Sequence, residues 1–361
     1  MTETEARLIL NCLPKIGPIR VRQLMERFGD AASILRQPSE KLAATGLPRS
    51  AVQSLSNWQS LVDLDAELRA IESFGAEVLL PDDERFPPML REIHDPPLLL
   101  YLWGTLTPQD HHGIAVVGPR KPSHYGEECT KKLTYQLAYA GLTIISGLAR
   151  GVDTLAHQSA LAASQRTIAV LGGGLQKLYP PENHGLAERI AQNGAVLSEF
   201  PMNRDPDKQT FPIRNRIVAG WSQGLLVVEA SQTSGAMITA NFAAEQGRTV
   251  FAVPGPINRV TSCGTNKLIQ QGARLVLSAQ DVLDEYQLLL PLAPKKKSEP
   301  TPQLSEREAH ILGLTGTIDE VSLDFLVDKS GLPPHQISSS LLILEMKKLV
   351  KQLPGQRFVR L

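Results

Sequence analysis

The sequence has no surplus of charge: 37 Lys and Arg stand against 37 Asp and Glu over 361 residues. A balanced sum excludes a uniformly basic chain but leaves a local cluster open, because a phosphate backbone is gripped by where positive charge sits. Cysteine is scarce. Cys12, Cys129 and Cys263 lie far apart, with no CxxC and no Cys/His spacing of a zinc site, which excludes a disulfide framework and a structural metal and fits reduced thiols in a cytoplasmic protein. No apolar run approaches the roughly 20 residues of a membrane-spanning helix. The first ten residues carry acids where a signal peptide needs bases, so a soluble chain with no membrane association is expected. Catalytic signatures are missing too. Neither GxSxG nor HExxH occurs, there is no Walker A loop, and Gly-x-Gly-x-x-Gly does not follow the first strand of the central region. No catalytic residue, metal or cofactor is therefore assigned.

What is present divides the chain. With 42% hydrophobic residues, 361 positions suffice for two or three packed domains. Residues 1–66 read as short helices: Thr2 and Glu5 have capping-box spacing, Leu13-Pro14-Lys15-Ile16-Gly17-Pro18 ends the first helix, and 21–28, closed by Gly29, form the second. Helix, glycine turn, helix is similar to sterile-alpha-motif or helix-hairpin-helix modules whose turn amides touch DNA phosphates. It is equally how any two small helices connect. Residues 67–288 change texture, with strands expected at 113–118, 142–146, 167–171, 195–198, 224–229, 249–253 and 274–277, each β-branched and bounded by Gly, Ser or Pro. Seven such strands separated by helices predict an α/β domain with a Rossmann-like, doubly wound, mostly parallel sheet. Residues 289–303 are Pro- and Lys-rich and read as an extended tether. Residues 304–361 are similar to a winged helix: Ser305 and Glu308 form a second capping box, helices follow at 322–329 and 334–348, and two strands flank Pro354-Gly355. The third helix offers Ser338, Ser339 and Ser340 rather than bases, so DNA reading and protein docking both stand for this module.

Ligands bind open α/β sheets where the strands end, so the turns after the strands carry the chemistry. Gly118-Pro119-Arg120-Lys121 follows the first strand, Ser146-Gly147-Leu148-Ala149-Arg150-Gly151 the second, and Gly172-Gly173-Gly174-Leu175-Gln176-Lys177 the third. Small residues at a helix start present unpaired N–H groups and the positive dipole end to a phosphate, and Arg120 or Lys121 adds a charge-assisted bond. Taken singly, each is also an ordinary tight turn. Several cradles without a nucleotide fingerprint suit a polynucleotide backbone better than one compact cofactor. Phe211-Pro212-Ile213-Arg214-Asn215-Arg216 adds two guanidinium forks, with Phe211 either a stacking surface or a core anchor. Ser234 and Gly235 start a further helix, suited to an anion or to ordinary capping. Asp153 and His157, four residues apart, read as a brace in which Asp153 caps the helix. Glu199 and Glu229 are candidate general bases without a visible partner.

Together, Val117-Gly118-Pro119-Arg120 with Tyr125-Gly126, the run from Ser146 to His157, Gly172 to Asn183, Phe211 to Gly220, Val228-Glu229-Ala230 with Ser234 to Ala240, and Phe251 to Gly255 strongly resemble the DprA/Smf family of DNA-processing proteins. The likeness covers about 75–287, and the flanking modules look like accessory domains of some members. The resemblance implies a single-stranded DNA-binding protein without an established catalytic reaction, which protects incoming DNA in natural transformation and helps load the RecA recombinase onto it. It implies a homodimer. By motif, it makes Arg120 a principal phosphate ligand, places the 146–151 and 172–177 turns in the same pocket, and has Arg214 and Arg216 extend it. Two positions depart from the family pattern: Pro119 stands where Ser or Thr is usual, and Pro181 where some relatives carry Lys, which leaves Lys177 to supply that charge. A distant likeness to LOG-type nucleotide phosphoribohydrolases gives an enzymatic alternative, but the counterpart of their motif, Thr233-Ser-Gly-Ala-Met-Ile-Thr239, lacks the glutamate. The bases named above collect at the ligand edge, while Glu67, Asp82, Asp83, Glu84, Asp281, Asp284 and Glu285 fall away from it. A focused basic pocket on a neutral body is expected.

Overall fold

The apolar segments become strands where they stand in the sequence, because glycine, serine or proline ends each extended run. The structure, a computed structural model, describes residues 1–287, 304–315, 321–347, 349–353 and 357–360. Strands β3 (Gly113–Val117), β4 (Thr143–Ser146), β5 (Thr167–Leu171), β6 (Gly194–Ser198), β7 (Gly224–Val227), β8 (Thr249–Ala252) and β9 (Arg274–Leu275) are the seven expected ones, and they pair in parallel. Two more, β1 (Glu77–Leu79) and β2 (Leu100–Gly104), add antiparallel pairs beside β6. The order is β1-β2-β6-β5-β4-β3-β7-β8-β9. The two extra strands escaped the sequence reading because β1 spans three residues and the segment between them is full of Pro, Asp and Glu, which masks any alternation.

Successive residues of the central strands serve opposite faces. Ile114 and Val116 pack with Leu133, Leu137, Val152 and Ala156 of the helices His124–Tyr139 and Val152–Ala162, while Ala115 and Val117 pack with Ile217, Val218, Ala236 and Ala240 of the helices Thr210–Trp221 and Gly235–Glu245. Helices cover both faces, as a parallel sheet requires.

The first helix, Glu3–Cys12, is closed by the expected capping box: the Glu5 amide donates to Thr2 Oγ1 at 3.2 Å and the Thr2 amide to Glu5 Oε2 at 2.7 Å. The second begins at Pro18, earlier than expected, because proline's fixed φ suits the first helical position. Residues 1–66 keep an apolar cluster of their own around Ile9, Leu10, Val21 and Leu24. The chain divides into two compact units, split after residue 290, and the N-terminal helices belong to the first. Arg7 Nη1 donates to the Leu98 carbonyl at 3.2 Å and Asn11 Nδ2 to the Glu199 carbonyl at 2.8 Å, tying them to the sheet's neighbourhood.

The second unit packs the helices Glu306–Leu314, Leu323–Ser330 and Pro334–Met346 around Ile311, Leu326, Ile337 and Leu344. Its sheet has three strands, β10 (Val321–Ser322), β11 (Val350–Leu353) and β12 (Arg357–Arg360), ordered β10-β12-β11, one more than expected. Ser305 and Glu308 again form a capping box. The 289–303 tether and the Pro354-Gly355 turn lie outside the described residues.

Candidate nucleic-acid interface

Strand order reverses beside β3: β4, β5 and β6 lie to one side, β7, β8 and β9 to the other. Connections leaving β3 and β7 therefore diverge, and a crevice opens beyond their carboxyl ends. A cavity of about 340 Å³ occupies it, lined by Gly118 and Arg120 after β3, Gly147 and Ala149 after β4, Phe211, Arg214 and Asn215 of the helix Thr210–Trp221, and Ser234 and Gly235 at the start of the helix Gly235–Glu245.

Arg120 is exposed at its mouth, its guanidinium 5.2 Å from the Phe211 ring centroid. It has no hydrogen bond or ion pair among the described residues, so its donors face solvent. Ser234 Oγ is buried and also lacks a partner among those residues, and the helix it precedes has no side-chain cap. Its first amides and dipole are thus available to an anion.

The second turn differs from expectation. Two of its amides are taken up within the protein: Gly147 and Ala149 N–H donate to Asp153 Oδ2 at 3.2 and 3.3 Å, so Asp153 shapes the turn. Burial raises the Asp153 carboxyl, against the pull of Arg214. Arg214 is itself buried, donates to the Gly147 and Val170 carbonyls, and is lowered to about 10 by burial. It is a support under the cavity floor, and Gly147 is glycine because a Cβ would strike that guanidinium. Ser146 is fully buried, its hydroxyl donating to the Val116 carbonyl at 2.7 Å. Gly151 has φ +76°, and a Cβ there would meet the backbone of Pro119 and Arg120. Its role is to let the two turns touch.

His157 Nδ1 meets Thr167 Oγ1 at 2.7 Å, and burial followed by the nearby Arg214 lowers the imidazole to about 3. Asp153 and His157 brace different neighbours.

The third turn is not an open cradle. A Cβ at Gly174 would collide with the 201–206 segment and one at Gly172 with the Phe211 ring, while one at Gly173 would press closely on Pro206, so these glycines admit protein. Lys177 lies 3.7 Å from Asp205, and Arg150 is bound by Glu182. Arg216 leaves the site altogether. It is 3% exposed, pairs with Asp95 at 2.8 Å and with Glu199, and lines a different cleft. Glu199 is thereby a counter-ion, its carboxyl raised by burial. Glu229 accepts from the Ser123 amide and hydroxyl at 2.9 and 2.6 Å, fixing the start of the helix His124–Tyr139. Acids thus stand among the bases at this edge, and the expected segregation of charge is incomplete. Lys121 remains exposed beside Arg120.

Two residues were not singled out in the sequence. Lys208 is exposed directly ahead of the helix that carries Phe211 and has no ion pair among the described residues. Its signal was available: it stands three positions before Phe211, just outside the segment read for cations. Tyr179 is 38% exposed with its ring centroid 6.1 Å from that of Phe211, a proximity that no sequence spacing announces.

Residues 77–287 match the family described as DNA recombination-mediator protein A, and residues 295–356 match the DprA winged helix domain. Protein Smf of Escherichia coli is 37% identical over 332 residues, covering 91% of this chain and 84% of that protein. The DNA processing protein DprA of Bacillus subtilis is 41% identical over 219 residues, covering 60% of this chain and 74% of its own length. The X-ray structure of DprA from Streptococcus pneumoniae has a TM-score of 0.68 at 37% identity, covering 79% of this chain and 98% of that one. DprA from Helicobacter pylori, solved in a study of its single-stranded DNA binding mode, has a TM-score of 0.54 at 32% identity, covering 60% and 97%.

Proposed function

Because this chain belongs to the DNA recombination-mediator protein A family, we propose that it binds single-stranded DNA in the crevice at the ends of β3 and β7, as a non-enzymatic homodimer in the cytoplasm that shields incoming strands and hands them to a RecA recombinase. The observation that carries this is Arg120: an exposed guanidinium without an acidic partner among the described residues, set against an aromatic ring at the mouth of a switch-point crevice. Phosphate and base are the two surfaces every nucleotide offers, so a cation beside a ring binds strands without reading sequence. Ser234 Oγ and the amides at Gly235 give a second anion contact across the crevice. The relative from Helicobacter pylori, whose structure addresses single-stranded DNA binding, makes the same ligand class the first to test.

The homodimer finds support at the sheet's far edge. Ile257 and Val260 follow β8, and Leu275 and Leu277 lie at and after β9; all are exposed apolar side chains at one end of adjacent parallel strands, 92%, 73%, 44% and 77% exposed. A second copy would cover them.

The deciding experiment titrates labelled oligo-dT and a matched duplex at several salt concentrations. Affinity for oligo-dT should exceed that for duplex and fall as salt rises, with a slope near −0.7 per phosphate held. Arg120→Ala should weaken binding to unrelated single strands alike. An unchanged titration would remove the crevice as the site.

A further inference from the structure

A continuous row of cations and rings leaves the crevice. Arg120 lies 5.2 Å from the Phe211 centroid, Phe211 and Tyr179 are 6.1 Å apart with planes at 51°, and Arg150 lies 5.5 Å from the Tyr179 centroid. The row joins the ends of three strands, since Arg120 follows β3, Arg150 follows β4 and Tyr179 follows β5. The two rings are tilted, so they do not consume each other's faces by stacking. Phe211 is seated by Gly172, where a Cβ would come within 2.7 Å of its ring. The Tyr179 segment is held by Asn183, whose Nδ2 donates to the Leu148 carbonyl and to Thr154 Oγ1, both at 2.9 Å. The outer end is restrained by an exchangeable contact: Glu182 accepts from Arg150 Nε and, at 3.1 Å, from Nη2, while Arg150 Nη1 donates to the Tyr179 hydroxyl at 3.2 Å. Both members of that ion pair are about half exposed, with side chains at 46% and 52%. Such a pair contributes little in water and yields readily to a better anion.

We propose that Tyr179 and Arg150 form a second nucleotide step outside the crevice: Tyr179 stacks the base next to the one on Phe211, and Arg150 leaves Glu182 to hold that nucleotide's phosphate. The inference rests on the single-strand reading of the crevice and goes beyond it. Base–aromatic stacking is stronger than an exposed cation–π contact, so a base displaces a guanidinium from a ring, and the displaced guanidinium is then free for a phosphate. Glu182 becomes a brake on this second step, because the strand must break its pair with Arg150.

The test uses the full chain and short oligo-dT carrying a single 2-aminopurine at successive positions. Wild type should quench the probe at two adjacent positions. Tyr179→Ala should lose one of them and weaken binding about tenfold, the effect of one stacked base, while Tyr179→Phe keeps both. Glu182→Gln should tighten binding severalfold, because the strand no longer has an ion pair to break before Arg150 meets its phosphate, and Arg150→Ala should flatten the salt slope by about 0.7, the loss of one phosphate on a single strand. Unchanged quenching and affinity in Tyr179→Ala, with Arg120→Ala still weakened, would overturn the second step and leave the crevice intact. So would Glu182→Gln binding no tighter than wild type, which also serves should Tyr179→Ala fail to fold. No binding of oligo-dT by wild type would instead sink the crevice reading itself.

Discussion

What an arginine can do for a ligand depends on what it already holds. Arg120, Arg214 and Arg216 look alike in the sequence, yet Arg120 is exposed without an acid partner among the described residues, Arg214 spends its donors on the Gly147 and Val170 carbonyls, and Arg216 is closed between Asp95 and Glu199. Their substitutions should separate cleanly. Arg120→Ala should lose on the order of tenfold in single-strand affinity, as a charge-assisted contact to phosphate is removed, with an unchanged melting temperature. Arg216→Ala should lower stability by about 3 kcal/mol or more, because it leaves buried Glu199 without its partner; thermal melts of the two variants check the contrast. His157 adds a pH dependence of defined sign. Its folded pKa of about 3 lies below the ordinary 6.5, so the unfolded chain binds the extra proton between those values, and stability falls as pH drops through that window. His157→Gln should flatten this loss in denaturant titrations run at pH 7 and pH 4.5.

Turns and helices set which of these groups meet. The helix Thr210–Trp221 has two working faces: Phe211, Arg214 and Asn215 turn toward the crevice, while Ile213 and Arg216 turn toward the cleft shared with Asn11 and Asp95. Residues two apart on a helix do not share a face, which is why a run of neighbouring cations in sequence divides in space. Gly151 performs the corresponding task for the turns, since its φ of +76° and the backbone of Pro119 and Arg120 leave no room for a Cβ. Gly151→Ala should therefore cost about 1–3 kcal/mol in stability and weaken oligo-dT binding although every cation is retained. A melt and a salt titration of that variant measure both. Normal affinity would show that the Arg120 turn does not depend on this contact.

The whole chain comprises a sheet-centred unit with the N-terminal helices built in and a C-terminal winged-helix unit, each with its own apolar core. Among the described residues no helix is long and apolar enough to cross a membrane. On the proposed single-strand reading, one crevice with few free cations among the described residues would grip few phosphates, and coverage of a long strand would call on a second copy. Leu277→Glu, placing a charge on the apolar edge after β9, should convert a homodimer to a monomer in light scattering and reduce affinity for long oligo-dT more than for short. Wild type that stays monomeric at every concentration would remove this edge as an interface.

The strands β3 to β9 and the two capping boxes could be read along the chain, because they depend on local periodicity and on side chains three residues apart, whereas the place where the strand order reverses needed the pairing of the strands. The glycines at 147, 151 and 172–174 could also be recognised as places of close approach. Which partner approaches could not: Asp153 takes two amides of the second turn, the 201–206 segment packs on the third, and Phe211 rests on Gly172. Charge was legible as a sum but not as a field, since Glu182, Glu199 and Asp95 neutralise arginines distant in sequence. Those pairings are long-range and compete with solvent and ligand for the same donors. They exist only once packing has fixed which groups are buried together, and packing left Arg120, unpaired among the described residues and beside a ring, as the group on which the single-strand proposal rests.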